Sequence, residues 1–561
     1  MFFSGQIKNQ FFALATLFFT FTFSISQSSA QTPNWLWANS AGSSLYDYGI
    51  GVCNDNNGNT YSTGYFRESI TFGDITLTDV GGFDIFVVKY DPNGNVLWAN
   101  SYGGTSLDFV NNMSINADNH IVITGAFRSE SISFGSFTLT NPNAGDGANC
   151  FYVMKIDTDG NVLWATTANC DSNCSGSDVD INSNGDIVVT GNFSGNTVTF
   201  GSITLTNSYQ FADDFFIVKY NSAGEVLWAK GYGGNSEDTG IGVVFDNTGN
   251  INFIGAFSSS EITLGVTTYI NSGGYDYLLV QFGSEGNISW MRNAQGNGDD
   301  FAQDIDVDND NNIFITGNFS GLFVSFSGLE LTGNSSLNIF TIKYDNGGNP
   351  EWVISPQGDQ NDESYAITVD KDGNCLITGT FESSILSFDG SISITNNNLE
   401  YGDVFVAKIN NDGIVNWATA TGGNDLDYGL SISTNNEGNA FITGVFYSTS
   451  IAFGANTLVN ANSSNNSPDY FIAKLNSTVG IDDKPIEQRS LIYPNPVVDN
   501  FNITTEEKSI IKLYSENGIL LKTRNLDIGN NLIDVSTYKP GIYFVRIMVN
   551  DKVMNDKFIK R

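Results

Sequence analysis

Seven tryptophans recur along the chain at intervals of 61 to 66 residues, and each opens the same local pattern. A glycine follows every one of them at a distance of 27 residues. A spacing held this constant predicts that each unit is one structural repeat that packs against the next to bury a shared core. The seven pairs are Trp37 and Gly64, Trp98 and Gly125, Trp164 and Gly191, Trp228 and Gly255, Trp290 and Gly317, Trp352 and Gly379, and Trp417 and Gly444.

Each repeat reads as two β-hairpins. Residues 241–257 hold an alternating segment, the turn NTGN and a second apolar segment. Residues 84–98 hold DIFVVKY, the turn DPNGN and VLW. Short alternating runs joined by Asn, Asp and Gly turns are typical of strands, and no helical periodicity is present. Four strands in each repeat predict one blade, so the sequence predicts an all-β, seven-bladed β-propeller over residues 31–476.

The two ends of this region predict how the ring closes. The last repeat ends in DYFIAKL at 469–475 with no tryptophan after it, and the first begins in NWLWAN at 34–39 with no lysine strand before it. We therefore expect the strand of Trp37 to pair with the strand of Lys474, which would leave no exposed sheet edge.

The composition outside the repeats predicts export and a second domain. Residues 1–30 combine Lys8, an apolar run and small residues before the end, which is the pattern of a signal peptide. Residues 31–484 carry 12 Lys or Arg against 51 Asp or Glu, whereas residues 485–561 carry 11 against 9. This change places a domain boundary near Lys484. The acidic body argues against nucleic acid as a partner, and the lack of a later long apolar run argues against membrane insertion.

Length varies only between the repeat glycine and the next lysine position, from 25 residues between Gly64 and Lys89 to 30 between Gly125 and Lys155. Insertions in repeat proteins map to loops on one face, which is often the binding face. The alternative is that these segments form extra hairpins that only cover the rim.

Aspartates mark two further repeat positions, ten residues after the Trp and five residues before the Lys. Both positions are cysteine in the third repeat, Cys174 and Cys150, so we predict a Cys150–Cys174 disulfide, with Cys170 as an alternative partner of Cys174. The aspartates are interpreted as acceptors of backbone N–H groups that pair with the repeated lysines, and a cation site is the alternative. They are Asp47, Asp108, Asp238, Asp300, Asp362 and Asp427 at the first position, and Asp84, Asp214, Asp276, Asp403 and Asp469 at the second.

Signals for a metal or for catalysis are weak. Asp306, Asp308 and Asp310 are candidate calcium ligands, but the segment lacks the Gly and Glu of the helix-loop-helix calcium site, so a turn is favoured. The chain has one histidine, His120, which argues against a histidine-based triad. We therefore predict no catalytic residue and no cofactor, with calcium as the open alternative.

Two resemblances cover most of the chain. The pattern in 46–66, YDYGIGVCNDNNGNTYSTGYF, resembles the bacterial SBBP β-propeller repeat family over about residues 34–476. Residues 491–561 are predicted to form a small Ig-like β-sandwich, and they resemble a type A C-terminal sorting domain of the type IX secretion system of Bacteroidetes. The second resemblance rests on the sorting motif Tyr493, Pro494, Asn495 and Pro496, on the segment that begins at Gly541, and on the basic end KFIKR.

The sorting domain implies recognition by an outer-membrane translocon, after which such domains are usually removed at a linker, here 477–490. The mature protein is then expected outside the cell or on the outer-membrane surface, after passage through the periplasm. Our leading hypothesis is a non-enzymatic scaffold that binds an extracellular glycan or protein in adhesion or capture. Two alternatives remain open: a secreted carbohydrate-active enzyme that uses carboxylates on one propeller face, and a structural surface component.

Overall fold

The computed structural model describes residues 33–388, 392–396, 398, 400–462, 467–477, 492–505, 508–515, 520–549 and 552–561. The chain divides into two compact units, one that ends at Val479 and one from Gly480 to Arg561. The predicted signal peptide, 1–30, lies outside the described residues, and so does the predicted linker except for its first residue. Within the described residues, no helix is both long enough and apolar enough to cross a membrane.

The first unit contains seven antiparallel sheets in a repeated, propeller-like arrangement; six have four strands, and the fourth has the same four strands plus a hairpin at its edge. We number the sheets 1 to 7 and name the strands of each A to D in hydrogen-bonded order. Sheet 1 contains Asp47–Asn54, Thr60–Phe66, Asp84–Tyr90 and Val96–Tyr102, and sheet 2 contains Asp108–Ile115, Ile121–Phe127, Cys150–Ile156 and Val162–Thr167. Sheet 3 contains Cys174–Ile181, Ile187–Phe193, Asp214–Tyr220 and Val226–Tyr232, and sheet 4 contains Asp238–Phe245, Ile251–Phe257, Asp276–Phe282 and Ile288–Gly296. Sheet 5 contains Asp300–Val307, Ile313–Phe319, Asn338–Tyr344 and Pro350–Ile354, and sheet 6 contains Asp362–Val369, Cys375–Phe381, Asp403–Ile409 and Val415–Thr421. Sheet 7 contains Asp427–Thr434, Ala440–Phe446, Asp469–Asn476 and Asn34–Ala41.

Strand D of sheet 7 comes from the beginning of the chain. Asn34–Ala41 pairs with Asp469–Asn476, and Trp37 stands opposite Lys474. This is the strand pairing that the sequence predicts. The same Trp and Lys register recurs inside other sheets, for example between Trp98 and Lys89.

The invariant glycine has a steric cause. Gly64 lies on strand B of sheet 1, and a β-carbon at this position would collide with the Tyr48 carbonyl oxygen on strand A and with the Phe86 ring on strand C. The other repeat glycines face the same strand-A carbonyl, as Gly125 faces that of Phe109. The close approach of strands A and B therefore excludes any side chain.

The repeated Trp and Lys join neighbouring sheets. The Trp98 indole N–H and the Lys89 ammonium both donate to the Thr158 carbonyl in the C–D turn of sheet 2, at 3.1 and 2.9 Å. Four further Trp and Lys pairs converge on one carbonyl of the next sheet in the same way: Trp37 and Lys474 on Pro92, Trp164 and Lys155 on Ser222, Trp228 and Lys219 on Ser284, and Trp352 and Lys343 on Asn411.

The predicted pairing of the repeated Asp with the repeated Lys is therefore wrong. Asp84 begins strand C of sheet 1 and Lys89 lies near its other end. Five residues of extended strand span about 17 Å, which is too far for an ion pair. The ion pairs among the described residues join lysines to other acids: Lys219 to Asp186, Lys343 to Glu351, and Lys408 to Asp370.

The Trp contact makes a testable contribution to stability. Trp98→Phe keeps an aromatic ring but removes the N–H donor to Thr158, so we expect the free energy of unfolding to fall by about 1 kcal/mol. Trp290→Phe is the matched control, because the buried Trp290 indole N–H has no hydrogen-bond partner within the described part of the chain. Urea unfolding followed by tryptophan fluorescence measures both. Equal losses in the two variants would show that the hydrogen bond adds nothing.

The segments of variable length form extra hairpins that pack between sheets. Phe72, on the first of them, lies 5.0 Å from the Phe86 ring in sheet 1 and 5.6 Å from the Tyr470 ring in sheet 7, measured between centroids. Their apolar side is thus part of the core, which favours the rim-covering interpretation for the hairpins themselves. The hairpins are Ser69–Phe72 with Ile75–Thr78, Ser131–Phe134 with Phe137–Thr140, Thr197–Phe200 with Ile203–Thr206, Glu261–Leu264 with Thr267–Ile270, Phe323–Phe326 with Leu329–Thr332, Ile385–Ser387 with Ser393–Thr395, and Ser450–Phe453 with Asn456–Val459.

Three smaller features complete the description of the first unit. The strand Asn169–Cys170 adds to the third hairpin, the hairpin strand Phe323–Phe326 also pairs with strand D of sheet 4, and Ala144–Asp146 is a single 3₁₀ turn.

The second unit has a three-stranded sheet of Ile492–Tyr493, Asn500–Thr505 and Gly529–Asp534, and a four-stranded sheet of Leu520–Leu526, Ser509–Tyr514, Gly541–Val549 and Lys552–Lys560. The two sheets share one apolar core.

The sorting motif lies against the end of the chain. The Asn495 side chain donates to the Lys557 carbonyl and accepts from the Ile559 N–H, both at 2.9 Å. Gly541 begins the strand that pairs with this same last strand, opposite Lys560. The separate sequence signals of the tail therefore meet along its last strand.

Candidate functional site

Aromatic side chains from four consecutive sheets meet at one end of the repeat unit. We call this end the loop face: strands A and C begin there, and strands B and D end there. The aromatic belt consists of Tyr365 from sheet 6, Tyr428 and Tyr447 from sheet 7, Tyr48, Tyr65 and Phe83 from sheet 1 with the neighbouring Tyr46, and Phe109 from sheet 2.

The belt is continuous. On the sheet 1 side, the Tyr65 ring centroid lies 4.9 Å from that of Tyr48, 5.2 Å from that of Phe83 and 5.3 Å from that of Phe109. The Tyr48 and Tyr447 hydroxyls are 3.2 Å apart, which carries the belt into sheet 7. Ring centroids are 6.5 Å apart between Tyr447 and Tyr428, and 6.2 Å apart between Tyr428 and Tyr365.

Polar groups edge the belt. The Tyr365 hydroxyl donates to the Glu363 carboxylate at 3.0 Å, and burial raises the pKa of Glu363 with a further contribution from the charge of Glu382. At the other end the Arg128 guanidinium lies 5.9 Å from the Phe109 ring centroid and donates to the Asn149 side chain. Seven of the rings are half-buried and Tyr46 is exposed, so the belt is held by its neighbours and still reaches solvent.

The belt does not follow the repeat. Sheets 3 and 4 carry Ser175 and Thr239 at the position of Tyr48 and Phe109. A core residue recurs in every sheet because every sheet must fill the same space, whereas this position is aromatic in sheets 1, 2, 5 and 7 and is Ser, Thr or Glu in the others. Phe301 of sheet 5 packs on Tyr275 and makes no ring contact with the belt. The other sheets have no aromatic residue at the position of Tyr65, where they carry Ala126, Asn192, Ala256, Asn318, Thr380 and Val445.

The two Asp positions come together in pairs on this same face, each pair joining strand C of one sheet to strand A of the next. Asp84 and Asp108 are such a pair, and the charge of Asp108 contributes to the raised pKa of Asp84, after burial. Like charges held close in a buried place favour protonation of one partner. In four further pairs the charge of the strand-C Asp contributes, after burial, to the raised pKa of the strand-A Asp: Asp469 and Asp47, Asp214 and Asp238, Asp276 and Asp300, and Asp403 and Asp427.

A serine four residues after the repeat glycine sets how far the pKa of the strand-A Asp rises. The Ser259 hydroxyl donates to Asp238 at 2.7 Å, and the pKa of Asp238 rises only to about 6 because this bond opposes burial. Asp300 has Gly321 at the serine position, neither of its carboxylate oxygens has a hydrogen-bond partner among the described residues, and burial raises its pKa to about 8. Asp47, with Glu68 at that position, also reaches about 8.

Strand A of all seven sheets lines a single cavity of about 290 Å³. Four carboxylates on its wall join neighbouring sheets: Asp178 accepts the Val243 N–H at 2.6 Å, and Asp306 accepts the Val369 N–H at 2.7 Å. Burial raises the pKa of Asp178 and of Asp306 to about 7. Asp180 and Asp304 make the equivalent contacts to Phe245 and Ile367.

The three candidate calcium ligands are not brought to one point. The Asp306 carboxylate accepts backbone N–H groups at the cavity wall. Asp308 accepts the backbone N–H groups of Asp310 and Asn312 and the Asn312 side-chain amide, which is the hydrogen bonding of a tight turn. Among the described residues, no group of three or more His, Cys, Asp or Glu side chains is arranged to hold a metal ion.

Cys150 and Cys174 occupy the places of an Asp pair, Cys150 at the start of strand C in sheet 2 and Cys174 at the start of strand A in sheet 3. Both are buried, and the buried Cys170 shares an apolar cluster with Cys174. The predicted Cys150–Cys174 disulfide remains a prediction.

Comparison with known proteins identifies the second unit. Residues 491–561 match the family described as the secretion system C-terminal sorting domain, which confirms the predicted sorting tail. The tail supports export by the type IX secretion machinery to the cell surface or the extracellular space.

The first unit has more distant relatives. The uncharacterized WD repeat-containing protein L264 of Acanthamoeba polyphaga mimivirus is 24% identical over 510 residues, covering 74% of this chain and 36% of the viral protein. The regulatory protein FlaEY of Caulobacter vibrioides is 28% identical over 136 residues, covering 24% of this chain and 14% of that protein. The chain thus spans about a third or less of these relatives. The structure of Sqt1 from Chaetomium thermophilum has a TM-score of 0.35 and 8% identity, over 75% of this chain and 83% of that one.

Sequence reasoning missed the belt because it looked for function in the segments of variable length. The belt side chains lie instead on or beside the strands of the repeat. Aligning the seven repeats by their tryptophans and marking aromatic residues that do not recur would have found them.

Proposed function

We propose that the protein is a secreted or cell-surface β-propeller that binds an extracellular glycan or protein through the aromatic belt, without catalysis. The observation that carries this proposal is that the belt breaks the repeat while the rings stay half-exposed. Tyrosine rings offer a flat apolar surface with a hydroxyl at the edge, and sites of this composition fix a ligand by a few polar groups around an apolar floor.

We further propose that the seven sheets close into one ring of SBBP-type blades, followed by an Ig-like sandwich. The strand pairing of Trp37 with Lys474 supports closure, because the first strand of the chain completes the last sheet. The contact from Trp37 and Lys474 to the Pro92 carbonyl supports it as well, since it is the inter-sheet contact found elsewhere in the unit. The relative with WD repeats fits the same architecture.

Binding can be tested on an array of glycans and polysaccharides probed with purified residues 31–561, with and without calcium. We expect retention without product release for at least one ligand class, because the belt offers contact surface and no assigned catalytic group. Retention that needs calcium would support the alternative in which the Asp pairs bind a cation. Absence of retention on glycans and on candidate surface proteins would contradict a binding role and favour a structural surface component.

A carbohydrate-active enzyme is the second candidate, and one observation favours it. In sheet 6, burial and then the charge of Glu382 raise the pKa of Glu363, and no other sheet has two glutamates at these positions. Glycoside hydrolysis uses two carboxyl groups, one of them with a raised pKa. Release of shortened saccharides on the same array would therefore replace the binding proposal with this one.

A further inference from the structure

Three buried thiols meet where sheet 2 adjoins sheet 3. Cys150, Cys170 and Cys174 are 2, 5 and 1% exposed. The Cys150 and Cys170 sulfurs each lie 3.8 Å from the same carbonyl oxygen, that of Ala168. Cys170 and Cys174 belong to the same buried apolar cluster. Cys170 therefore lies next to Cys150, at the same Ala168 oxygen, and in the same cluster as Cys174.

The backbone holds Cys170 in this central place. Asn169–Cys170 is a short strand that pairs with Thr197–Phe200 of the sheet 3 hairpin, with Cys170 opposite Val198. The Asn143 side-chain amide donates to the Cys170 carbonyl at 2.7 Å. Cys150 is fixed on strand C of sheet 2, where its sulfur lies 3.3 Å from the Thr167 hydroxyl.

We propose that this cluster is a disulfide site in which Cys170 bonds to Cys150, and Cys174 remains as the adjoining thiol that exchanges with the bond. This pairing ties strand C of sheet 2 to the hairpin of sheet 3. It replaces the Cys150–Cys174 bond that repeat position alone suggests, because the Cys150 and Cys170 sulfurs share the Ala168 oxygen and Cys170 lies between the two repeat positions in the sequence.

The chemistry balances with a disulfide as oxidant, the class of reagent found in compartments through which exported proteins pass. The Cys150 and Cys170 thiols lose two electrons and two protons, and the oxidant is reduced to two thiols. In the exchange step the Cys174 thiolate attacks the Cys170 sulfur, the bond to Cys150 breaks, and Cys150 leaves as a thiolate that takes up the proton given by Cys174. The neighbouring Cys170 thiol and burial raise the pKa of Cys150, and the neighbouring Cys174 thiol and burial raise the pKa of Cys170, which slows attack in the folded protein.

The site is tested by treating the full mature chain with glutathione disulfide, blocking free thiols in acid, and mapping cross-links by peptic digestion and mass spectrometry. We expect Cys150–Cys170 as the main cross-link, with Cys170–Cys174 as the minor product of exchange. Cys53 and Cys375 are buried in other sheets and serve as internal standards for unreacted thiols.

Two serine variants separate this proposal from its rival. Cys174→Ser keeps the proposed pair and should oxidise as the natural protein does, whereas Cys170→Ser should oxidise at least about tenfold more slowly, since thiol contact limits disulfide formation. Three results would each overturn the proposal. The main cross-link would join Cys150 to Cys174, or Cys150, Cys170 and Cys174 would all still react with the thiol-blocking reagent after oxidant treatment, or the two variants would oxidise at equal rates. The map of the natural chain decides the question even if a variant fails to fold.

Discussion

The repeat unit is expected to lose stability as the pH rises from about 4 to about 9, because its buried carboxyl groups are favoured in their protonated form. The pKa is raised from 3.8 to about 8 for Asp300 and to about 7 for Asp84 and Asp469, chiefly by burial. Between the unfolded and folded pKa values the folded chain holds more protons than the unfolded chain. The stability from these groups is therefore complete below about pH 3.8 and is lost as the pH rises through the folded values of 6 to 8.

Tryptophan fluorescence during urea unfolding measures this effect in the repeat unit alone, because all eight tryptophans precede the sorting tail. Turn aspartates such as Asp91, whose pKa is lowered by its bond from the Asn95 side chain, act in the opposite direction but lie at the exposed surface. The urea midpoint should fall from pH 5 to pH 9. A midpoint that is constant or rises would show that the Asp pairs are ionised and offset in the folded protein.

The substitution Asp300→Asn tests the contribution of a single Asp pair to this pH dependence of stability. The substitution removes a buried charge that accepts no hydrogen bond within the described residues, so we expect a gain on the order of 1 to 3 kcal/mol at pH 8 and little change at pH 4. Asp238→Asn is the matched control at the same repeat position. Asp238 accepts the Gly234 N–H at 2.7 Å and the Ser259 hydroxyl, so an amide donor there loses a bond and the gain should be absent.

Removal of residues 491–561 is expected to abolish export of the repeat unit, since this segment is the sorting domain. The protein should then accumulate in the periplasm of a bacterium with type IX machinery, as measured by fractionation and immunoblotting. Val545→Asp should have the same effect, because Val545 is 1% exposed in the core of the tail and a charge there costs several kcal/mol. Residues 491–561 fused to a reporter with a signal peptide should export it. Normal secretion of the truncated chain would refute the sorting role.

The repeated features of the fold were predictable because each has a local cause. The glycines recur because a backbone contact at their position leaves no room for a side chain, and the tryptophans recur because the indole N–H bonds to the next sheet. The unmatched strands at residues 34–39 and 469–475 indicated the pairing of the two ends. The predicted ion pair between the repeated Asp and the repeated Lys could have been excluded from the sequence, since five residues along a strand separate Asp84 from Lys89 by about 17 Å.

The candidate site was harder to predict because its members come from different sheets. Nothing in the local sequence of Tyr48 indicates that its hydroxyl lies 3.2 Å from that of Tyr447, almost four hundred residues away. Cys170 is a similar case: it follows no repeat position, and only the pairing of its short strand with the sheet 3 hairpin brings it to Cys150. Departures from the repeat were the available signal for both.

The most direct test of the account compares Phe109→Ala with Phe301→Ala in affinity for a retained ligand, measured by titration calorimetry. Both residues stand eleven positions after a repeat tryptophan, but Phe109 belongs to the belt, whereas Phe301 of sheet 5 packs against Tyr275 of sheet 4, with ring centroids 4.7 Å apart. We expect Phe109→Ala to weaken binding by at least about tenfold, the loss of roughly 1.4 kcal/mol, and Phe301→Ala to leave it unchanged. Equal affinities for the two variants, or a larger loss for Phe301→Ala, would contradict binding at the belt.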